Sequence, residues 1–382
     1  MCFAGLDNYT YLAIPMFILT GFLMETGGLS MRIVNFASSL IGNVAGGLGI
    51  VTVIACMFFA AISGSSPATV AAIGSMMIPS MVKKGYSPEF SGALTSASGS
   101  LGILIPPSIP MIIFAVTAEV SIGEIFTAGF VPGAIVGCGL ILVVYIISKK
   151  RGYRGESQPI SLQRVLSTFK QAVWALLTPV IILGGIYSGI FTATEASIIS
   201  VCYAFIIGFF VHKELKIKDL IPIIIKSAVT TGTVIIILGF ATAFARYTTM
   251  MQVPTLIGQA ILSVTKDPTL ILCCFVVLVL ISGMFIETAA QILIYTPLFL
   301  PILVQLGVSP IHFGIILIIG TELGLITPPV GVNLFVAQGI TGSKISKISV
   351  AVLPFVFSML ICQLLLVFIP KLVTFLPDIV YN

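Results

Sequence analysis

A pattern of helix-breaking residues occurs twice in this chain. The first half reads I-S-G-S-S-P from Ile62 and G-I-L-I-P-P from Gly102, and the second half reads I-S-G-M-F-I-E-T from Ile281 and G-L-I-T-P-P from Gly324. Most of the matched glycines and prolines are 222 residues apart, whereas the two S-G dipeptides are 219 apart. So many matched positions indicate an internal duplication, and the features that the copies share are those that interrupt helices.

The composition places these interruptions in a membrane. Hydrophobic residues make up 58% of the 382 residues and charged residues only 8%, with a mean hydropathy of +1.19, which is typical of a polytopic membrane protein. An unpaired backbone N–H or C=O costs several kcal/mol in lipid, so a broken helix persists only where protein, an ion or a substrate satisfies it. Paired breaks in two halves indicate the binding site of a transporter, whereas a single break is equally well explained as a repacked proline kink.

Two short apolar helices joined by small residues precede each G-x-x-x-P-P break, and we interpret them as a re-entrant hairpin. The predicted fold is an all-α polytopic membrane protein built from two repeats. The re-entrant hairpins are predicted over 48–84 and 268–306, and the broken helices over 87–118 and 309–341. The predicted domains are a first repeat over 1–148, a cytoplasmic linker over 149–170 and a second repeat over 171–382.

Positive charges indicate the orientation of the two repeats. In this topology every Lys and Arg except Arg246, Lys266 and Lys371 falls on one side, which the positive-inside rule makes cytoplasmic. The first hairpin then opens towards the cytoplasm and the second towards the exterior, so the repeats are predicted to be inverted copies. The second half carries two further spans that have no counterpart in the first. We therefore expect that the chain lacks an N-terminal piece of its full-length relatives.

The interrupted helices offer two kinds of ion ligand. Helix ends at the two S-G tips and at the glycines of the two breaks expose carbonyl oxygens, which with Ser and Thr hydroxyls suit a small hard cation such as Na⁺. Helix starts beyond the tips and beyond each Pro-Pro pair expose N–H groups, which suit a carboxylate. A proton in place of sodium would need a titratable group at each site, and the sequence shows none near the first tip.

Two carboxylates lie at membrane depth. Glu287 is at the second hairpin tip and is placed on the transport pathway, whereas Glu322, just before the second break, is equally consistent with a structural tether. The histidines and cysteines form no metal-binding or catalytic spacing, and no nucleotide-binding loop is present, so no enzymatic activity is predicted. The net charge of +5 suits membrane lipid, and no nucleic-acid partner is predicted.

Several motifs resemble the large, DctM-like membrane subunit of TRAP transporters, the tripartite ATP-independent periplasmic transporters. They are I-S-G-S-S-P, G-x-L-I-P-P-S-I-P, T-P-P-V-G-V-N-L-F-V and the G-I-F-T-A-T-E-A that begins at Gly189. The resemblance covers essentially the whole chain. It implies an elevator-type fold of the ion-transporter superfamily in the bacterial inner membrane, with sodium as the coupling ion. It also implies two partners, a small four-helix membrane subunit and a periplasmic substrate-binding protein that delivers an organic anion such as a C4-dicarboxylate or sialic acid.

The resemblance also implies site residues, position by position. The first sodium site would use Ser63, Ser65, Gly102, Ile105 and Pro107, and the second would use Gly283, Thr288, Gly324, Thr327 and Pro329. The substrate would contact Ser66, Ser108, Glu287 and Asn333. Two positions depart from the family pattern: Glu287 stands where an aspartate is common, and Ala193 where a proline is common.

The leading hypothesis is a sodium-coupled importer of a small organic anion that a binding protein delivers. The alternative within transport is a stand-alone sodium- or proton-coupled carboxylate carrier that needs no binding protein. A membrane-embedded enzyme would need a convergent nucleophile and base that the sequence does not offer. A channel is the remaining class, but broken helices capped by small-residue tips favour occlusion.

Overall fold

The computed structural model describes residues 7–41, 44–153 and 161–381, and every regular element in these ranges is a helix. The all-α fold class is therefore confirmed. Among the described residues, six helices are long and apolar enough to cross a membrane, or up to nine if each of three bent helix pairs counts as one span. The chain is accordingly a polytopic helical protein.

The first hairpin consists of the helices Gly47–Ser63 and Ser66–Lys83. Gly64 ends its first arm at φ 57°, a left-handed conformation that glycine adopts without a Cβ clash, and Pro67 lies in the first turn of the second arm, where its missing N–H breaks no helical bond. The first broken helix follows, and its two pieces, Pro88–Leu104 and Ile109–Ala118, are bent by 42°.

The second half repeats this order of elements. The second arm of its hairpin begins at Thr288, 222 residues after Ser66, which begins the second arm of the first hairpin. Gly331, at φ 42°, directly precedes the last helix of the second broken helix. The second hairpin consists of Pro268–Gly283 and Thr288–Gln305, and the second broken helix of Pro310–Leu325 and Val332–Thr341. The internal duplication in the sequence therefore corresponds to a repeated order of helices.

Four helices form a frame beside the hairpins, and within it the hydroxyls of Thr20 and Ser200 are 2.7 Å apart. The frame helices are Ala13–Thr26, Leu162–Tyr187, Ala193–Ile206 and Ile217–Met250. The other helical elements are Tyr9–Leu12, Leu29–Leu40, Ile122–Arg151, Ile207–Val211, Val253–Val264, Ile345–Phe368 and Lys371–Tyr381. Leu29–Leu40 is bent by 69° from the helix before it, and Val253–Val264 by 120° from the helix after it.

The two repeats interlock at the centre of the molecule. Val332–Thr341 packs against the first-hairpin arm Ser66–Lys83, and Ile109–Ala118 packs against the second-hairpin arm Thr288–Gln305. Pro310–Leu325 is buried along almost its whole length. Each broken helix therefore ends against the hairpin of the other repeat.

The helices on both sides of the predicted linker over 149–170 extend into it. The helix Ile122–Arg151 includes its first three residues, and the next helix begins at Leu162. Three basic side chains in the last turn favour the helix because they lie at the negative end of its dipole. Residues 154–160 of the predicted linker lie outside the described residues. The sequence also predicts a membrane span over 230–250, and the corresponding frame helix begins earlier, at Ile217.

A polar cluster joins the helix Leu29–Leu40 and the turn before it to the loop that contains Glu214. Arg32 forms a 2.7 Å ion pair with Glu214 and donates a 2.7 Å hydrogen bond to the Gly28 carbonyl. The Nδ1 of His212 lies 3.2 Å from the Gly27 carbonyl. Burial and the nearby Arg32 guanidinium lower the pKa of His212 below its ordinary value of 6.5. His212 is therefore held in its neutral form near neutral pH.

Candidate functional site

A cavity of about 620 Å³ lies between the two hairpin tips and the frame. Residues 63–68 of the first tip and residues 287–289 of the second line it from one side. The frame helices Ala13–Thr26 and Ile217–Met250 line it from the other. The two interrupted hairpins, which are far apart in sequence, thus face one cavity.

The first tip packs directly against the first break. The hydroxyls of Ser63 and Thr69 are 2.8 Å apart, and the Thr69 hydroxyl donates a 2.8 Å hydrogen bond to the Ser65 carbonyl. A Cβ on Gly102 would lie 2.6 Å from that same carbonyl, so only glycine permits this approach. A Cβ on Gly64 would lie 3.0 Å from the Pro107 carbonyl oxygen. Oxygen atoms of the tip and the break therefore converge.

The second tip repeats the arrangement with different side chains. A Cβ on Gly283 would lie 2.9 Å from the Cα of Gly324, so the two backbones are in direct contact. The Gln291 side chain accepts a 3.0 Å hydrogen bond from the Ser282 hydroxyl and donates one of 3.0 Å to the Ile286 carbonyl. The Thr288 hydroxyl is buried and has no hydrogen-bond partner among the described residues. This orphaned oxygen is available to a ligand.

A buried polar contact joins the repeats at the first tip. The Asn333 amide nitrogen donates hydrogen bonds of 2.7 Å to the Ser66 hydroxyl and 3.2 Å to the Ser96 carbonyl. The Glu322 carboxyl lies beside Ser66, and neither of its oxygens has a hydrogen-bonding partner of good geometry in the described part of the chain. The expectation that the first tip has no titratable neighbour is therefore wrong, because Glu322 reaches it from the other repeat.

The cavity wall carries opposite charges. Glu287 Oε2 accepts a 2.8 Å hydrogen bond from the Ala289 N–H and so caps the second-hairpin arm. Glu25, Glu287 and Glu322 contribute carboxylates to the wall, and Lys226 contributes an ammonium. Lys226 was expected among the cytoplasmic loop charges, but the early start of its helix places it on the cavity.

The predicted site residues divide into three groups. Ser63, Ser65, Ser66, Glu287 and Thr288 line the cavity. Gly102, Pro107, Gly283 and Gly324 lie behind it, where tips and breaks touch. The other five are not placed on the cavity. Ser108 caps Ile109–Ala118, Ile105 packs its side chain against Gly133, the Thr327 hydroxyl donates to the Leu323 carbonyl, Pro329 is exposed, and Asn333 is buried.

Sequence reasoning missed four polar residues of this region. Thr69 and Gln291 are 222 residues apart and brace the two tips, so the repeat register could have identified them as a pair. Glu25 and Lys226 had no such signal, because neither has a counterpart in the other repeat's motifs. Only packing brings their helices together at the cavity.

Paired helical hairpins around one cavity, in a chain with this many apolar helices, are typical of a polytopic membrane permease. The family model of the tripartite ATP-independent periplasmic transporter DctM component matches residues 1–372. The chain belongs to this family, and it is a multi-pass protein of the bacterial inner membrane rather than an enzyme.

Two named relatives agree with this assignment, and one solved structure has a similar fold. The chain is 45% identical over 375 residues to the isethionate TRAP transporter permease protein DctMQ of Oleidesulfovibrio alaskensis, and the match spans 98% of the chain and 59% of that protein. It is 41% identical over 372 residues to the C4-dicarboxylate TRAP transporter large permease protein DctM of Pseudomonas aeruginosa, spanning 97% and 87% of the two chains. The YdaH transporter of Alcanivorax borkumensis has a similar fold, with a TM-score of 0.70, 15% identity and coverage of 96% and 86%.

Proposed function

We propose that this chain carries a small organic anion across the inner membrane by sodium-coupled secondary active transport. The observation that supports this most strongly is the convergence of both hairpin tips on one cavity, each tip packed on the glycine of its own break. Carbonyl and hydroxyl oxygens gathered there suit Na⁺, and the N-termini of two helix arms suit a negative head group. Relatives named for isethionate and for C4-dicarboxylates favour a carboxylate or sulfonate as the substrate.

Ion replacement in proteoliposomes tests the coupling. Substituting external Na⁺ by choline at a constant proton gradient should abolish uptake, whereas a protonophore at constant sodium gradient should leave it largely intact. The position of Glu322 beside Ser66 favours proton coupling as the second candidate. Uptake that continues in choline but collapses with the protonophore would establish that candidate instead.

Delivery by a periplasmic substrate-binding protein and cooperation with a small four-helix membrane subunit belong to the same proposal. Reconstituted large and small subunits should take up the anion only when the loaded binding protein is present outside. Uptake of free anion at the same rate without the binding protein would show a stand-alone carrier. This comparison is independent of the coupling ion.

The proposed motion is an elevator, in which the hairpins and broken helices slide against the frame. Gly258 of Val253–Val264 packs against Ile302 of the second hairpin, with 3.1 Å from a Cβ on Gly258 to Ile302 Cγ1. In this proposal the arm Val253–Val264 stays with the frame. A disulfide between Gly258→Cys and Ile302→Cys should therefore stop transport reversibly, because it joins the fixed arm to a moving hairpin. The matched control is Thr20→Cys with Ser200→Cys, which joins two frame helices and should cross-link without stopping transport. Transport that continues through the first cross-link would exclude the elevator.

A further inference from the structure

Acidic side chains outnumber basic ones on the cavity wall. Glu25, Glu287 and Glu322 line the cavity, and Lys226 is the one basic side chain among the described lining residues. A carboxylate or sulfonate entering this volume needs a positive partner to offset the loss of its hydration. Helix N-termini supply partial charges, whereas Lys226 supplies a full one.

Lys226 lies at the junction of two cavities. Together with Phe22 and Glu25 it lines both the main cavity and a smaller one of about 180 Å³. The smaller cavity continues along Thr26 and Asp219 towards the start of the helix Ile217–Met250. An anion that moves between the hairpin tips and that end of the helix passes Lys226.

Glu25 is the carboxylate that acts on Lys226. The ammonium charge of Lys226 acts on the Glu25 carboxyl across this junction, but no described carboxylate lies within 4.0 Å of the Lys226 nitrogen in an ion pair. The Lys226 side chain is also exposed to the cavity. Lys226 is therefore near a counter-ion without being locked to it, and it can accept a second anion.

We propose that Lys226 is the residue that positions the anionic head group of the substrate, and that Glu25 is the counter-ion which the substrate displaces. The inference rests on the proposed transport of an anion and adds the residues that recognise its charge. As a carboxylate or sulfonate approaches, it takes the place of Glu25 beside the ammonium. When the anion leaves through the smaller cavity, Glu25 returns as the partner of Lys226.

Counter-ion exchange makes opposite predictions for the two partners. Removing the ammonium removes the attraction for the anion, whereas removing the Glu25 charge removes its competitor. A purely structural ion pair would instead lose function in the same direction on removal of either partner. The sign of the Glu25→Gln effect therefore separates the two explanations.

The first test is uptake by the reconstituted large and small subunits with saturating loaded binding protein, using radiolabelled succinate and isethionate as probes. Lys226→Gln should lower the initial rate at least tenfold, Lys226→Arg should retain about half of it, and Glu25→Gln should leave it equal or raise it. The matched control is Lys218→Gln, an exposed lysine two turns away on the same helix that does not line the cavity. Loss of transport in Glu25→Gln equal to that in Lys226→Gln would overturn the exchange.

The second test needs no substrate, so it separates this inference from the proposed function. Thr233 lines the cavity two helical turns from Lys226, about 10 Å along the axis. In Thr233→Cys protein, the reaction rates of an anionic sulfonate and a cationic ammonium methanethiosulfonate are read at residue 233 by mass spectrometry. Adding Lys226→Gln should lower the ratio of anionic to cationic rate about tenfold, because one unit charge acts on the two reagents with opposite sign.

The outcomes are then distinct. If wild-type protein transports neither probe but the reagent ratio falls, the proposed substrate class is wrong and the anion-attracting role of Lys226 stands. If the ratio is the same with Lys226→Gln as with Lys218→Gln, Lys226 does not set the potential of the cavity and this inference is wrong.

Discussion

The Asn333 amide donates a 2.7 Å hydrogen bond to the Ser66 hydroxyl, and both residues are completely buried. Ser66 begins the second arm of the first hairpin, while Asn333 lies in the last helix of the second broken helix. The bond therefore joins the two repeats beside the cavity. We therefore expect Asn333 to hold the first tip in position and not to contact a substrate directly.

Asn333→Ala should destabilise this junction. The change leaves the Ser66 hydroxyl and the Ser96 carbonyl without their donor, at a cost of about 1–3 kcal/mol for buried groups. A lower unfolding temperature of the purified protein in detergent is the measurement. Gln338→Ala, a partly exposed amide on the same helix, should leave the unfolding temperature nearly unchanged. Equal effects of the two substitutions would remove the structural role assigned to Asn333.

Gly324→Ala should abolish transport and lower stability. A Cβ at this position would overlap the backbone of Gly283, so tip and break would have to separate. Gly339→Ala is the matched control, because a Cβ there meets nothing within 4 Å and alanine favours the helix. Uptake and unfolding temperature of both variants can be compared directly. A Gly324→Ala protein with wild-type uptake would show that the close approach is dispensable.

Thr288→Ala should weaken sodium activation without unfolding the protein. If the orphaned Thr288 hydroxyl is a ligand, its loss should raise the half-saturating sodium concentration by about three- to tenfold, since the backbone oxygens remain. Ser65→Ala should act similarly at the first tip. Thr288→Ser, which keeps the hydroxyl, should behave like wild type.

Ser80→Ala provides a control for the sodium titration. Its hydroxyl donates a 2.8 Å hydrogen bond to the Met76 carbonyl on the exposed side of the first hairpin. Sodium curves for Ser65→Ala and Thr288→Ala that coincide with the Ser80→Ala curve would show that the tip hydroxyls are structural.

Glu287→Gln should impair uptake, whereas Glu287→Asp should retain much of it. The glutamine oxygen can still accept from the Ala289 N–H, so the substitution removes the charge while keeping the helix cap. Initial uptake rates at saturating sodium are the measurement. If Glu287→Gln protein transports at the wild-type rate, Glu287 serves only as a helix cap and not in transport.

Stability should fall as the pH decreases through the titration of His212. Burial and Arg32 lower the pKa of His212 in the folded state, so the unfolded chain binds more protons below about pH 6.5. The stability contribution of neutral His212 is therefore complete above its unfolded pKa and declines as the pH falls below it. The unfolding temperature of His212→Gln should decrease less between pH 7.5 and 5.5 than that of wild type. Parallel curves would show that other groups account for the acid sensitivity.

The sequence alone identified the duplication, the membrane class, the two hairpins and the two breaks. These features are local. Glycine and proline determine the backbone conformation at their own positions, and a long run of apolar residues places its segment in lipid. For this reason most residues expected at the tips and breaks do lie there.

Only the tertiary structure decided which groups surround the cavity. Glu322 lies beside Ser66. Lys226 faces the hairpin tips from a helix that begins at Ile217, earlier than the sequence predicted. Neither relation follows from a repeat register, because each joins segments that no local pattern connects. The first arises because each broken helix packs against the hairpin of the other repeat, and the second because the helix Ile217–Met250 packs against the arm Thr288–Gln305. Both arrangements are set by the shapes of buried surfaces and not by the order of residues along the chain.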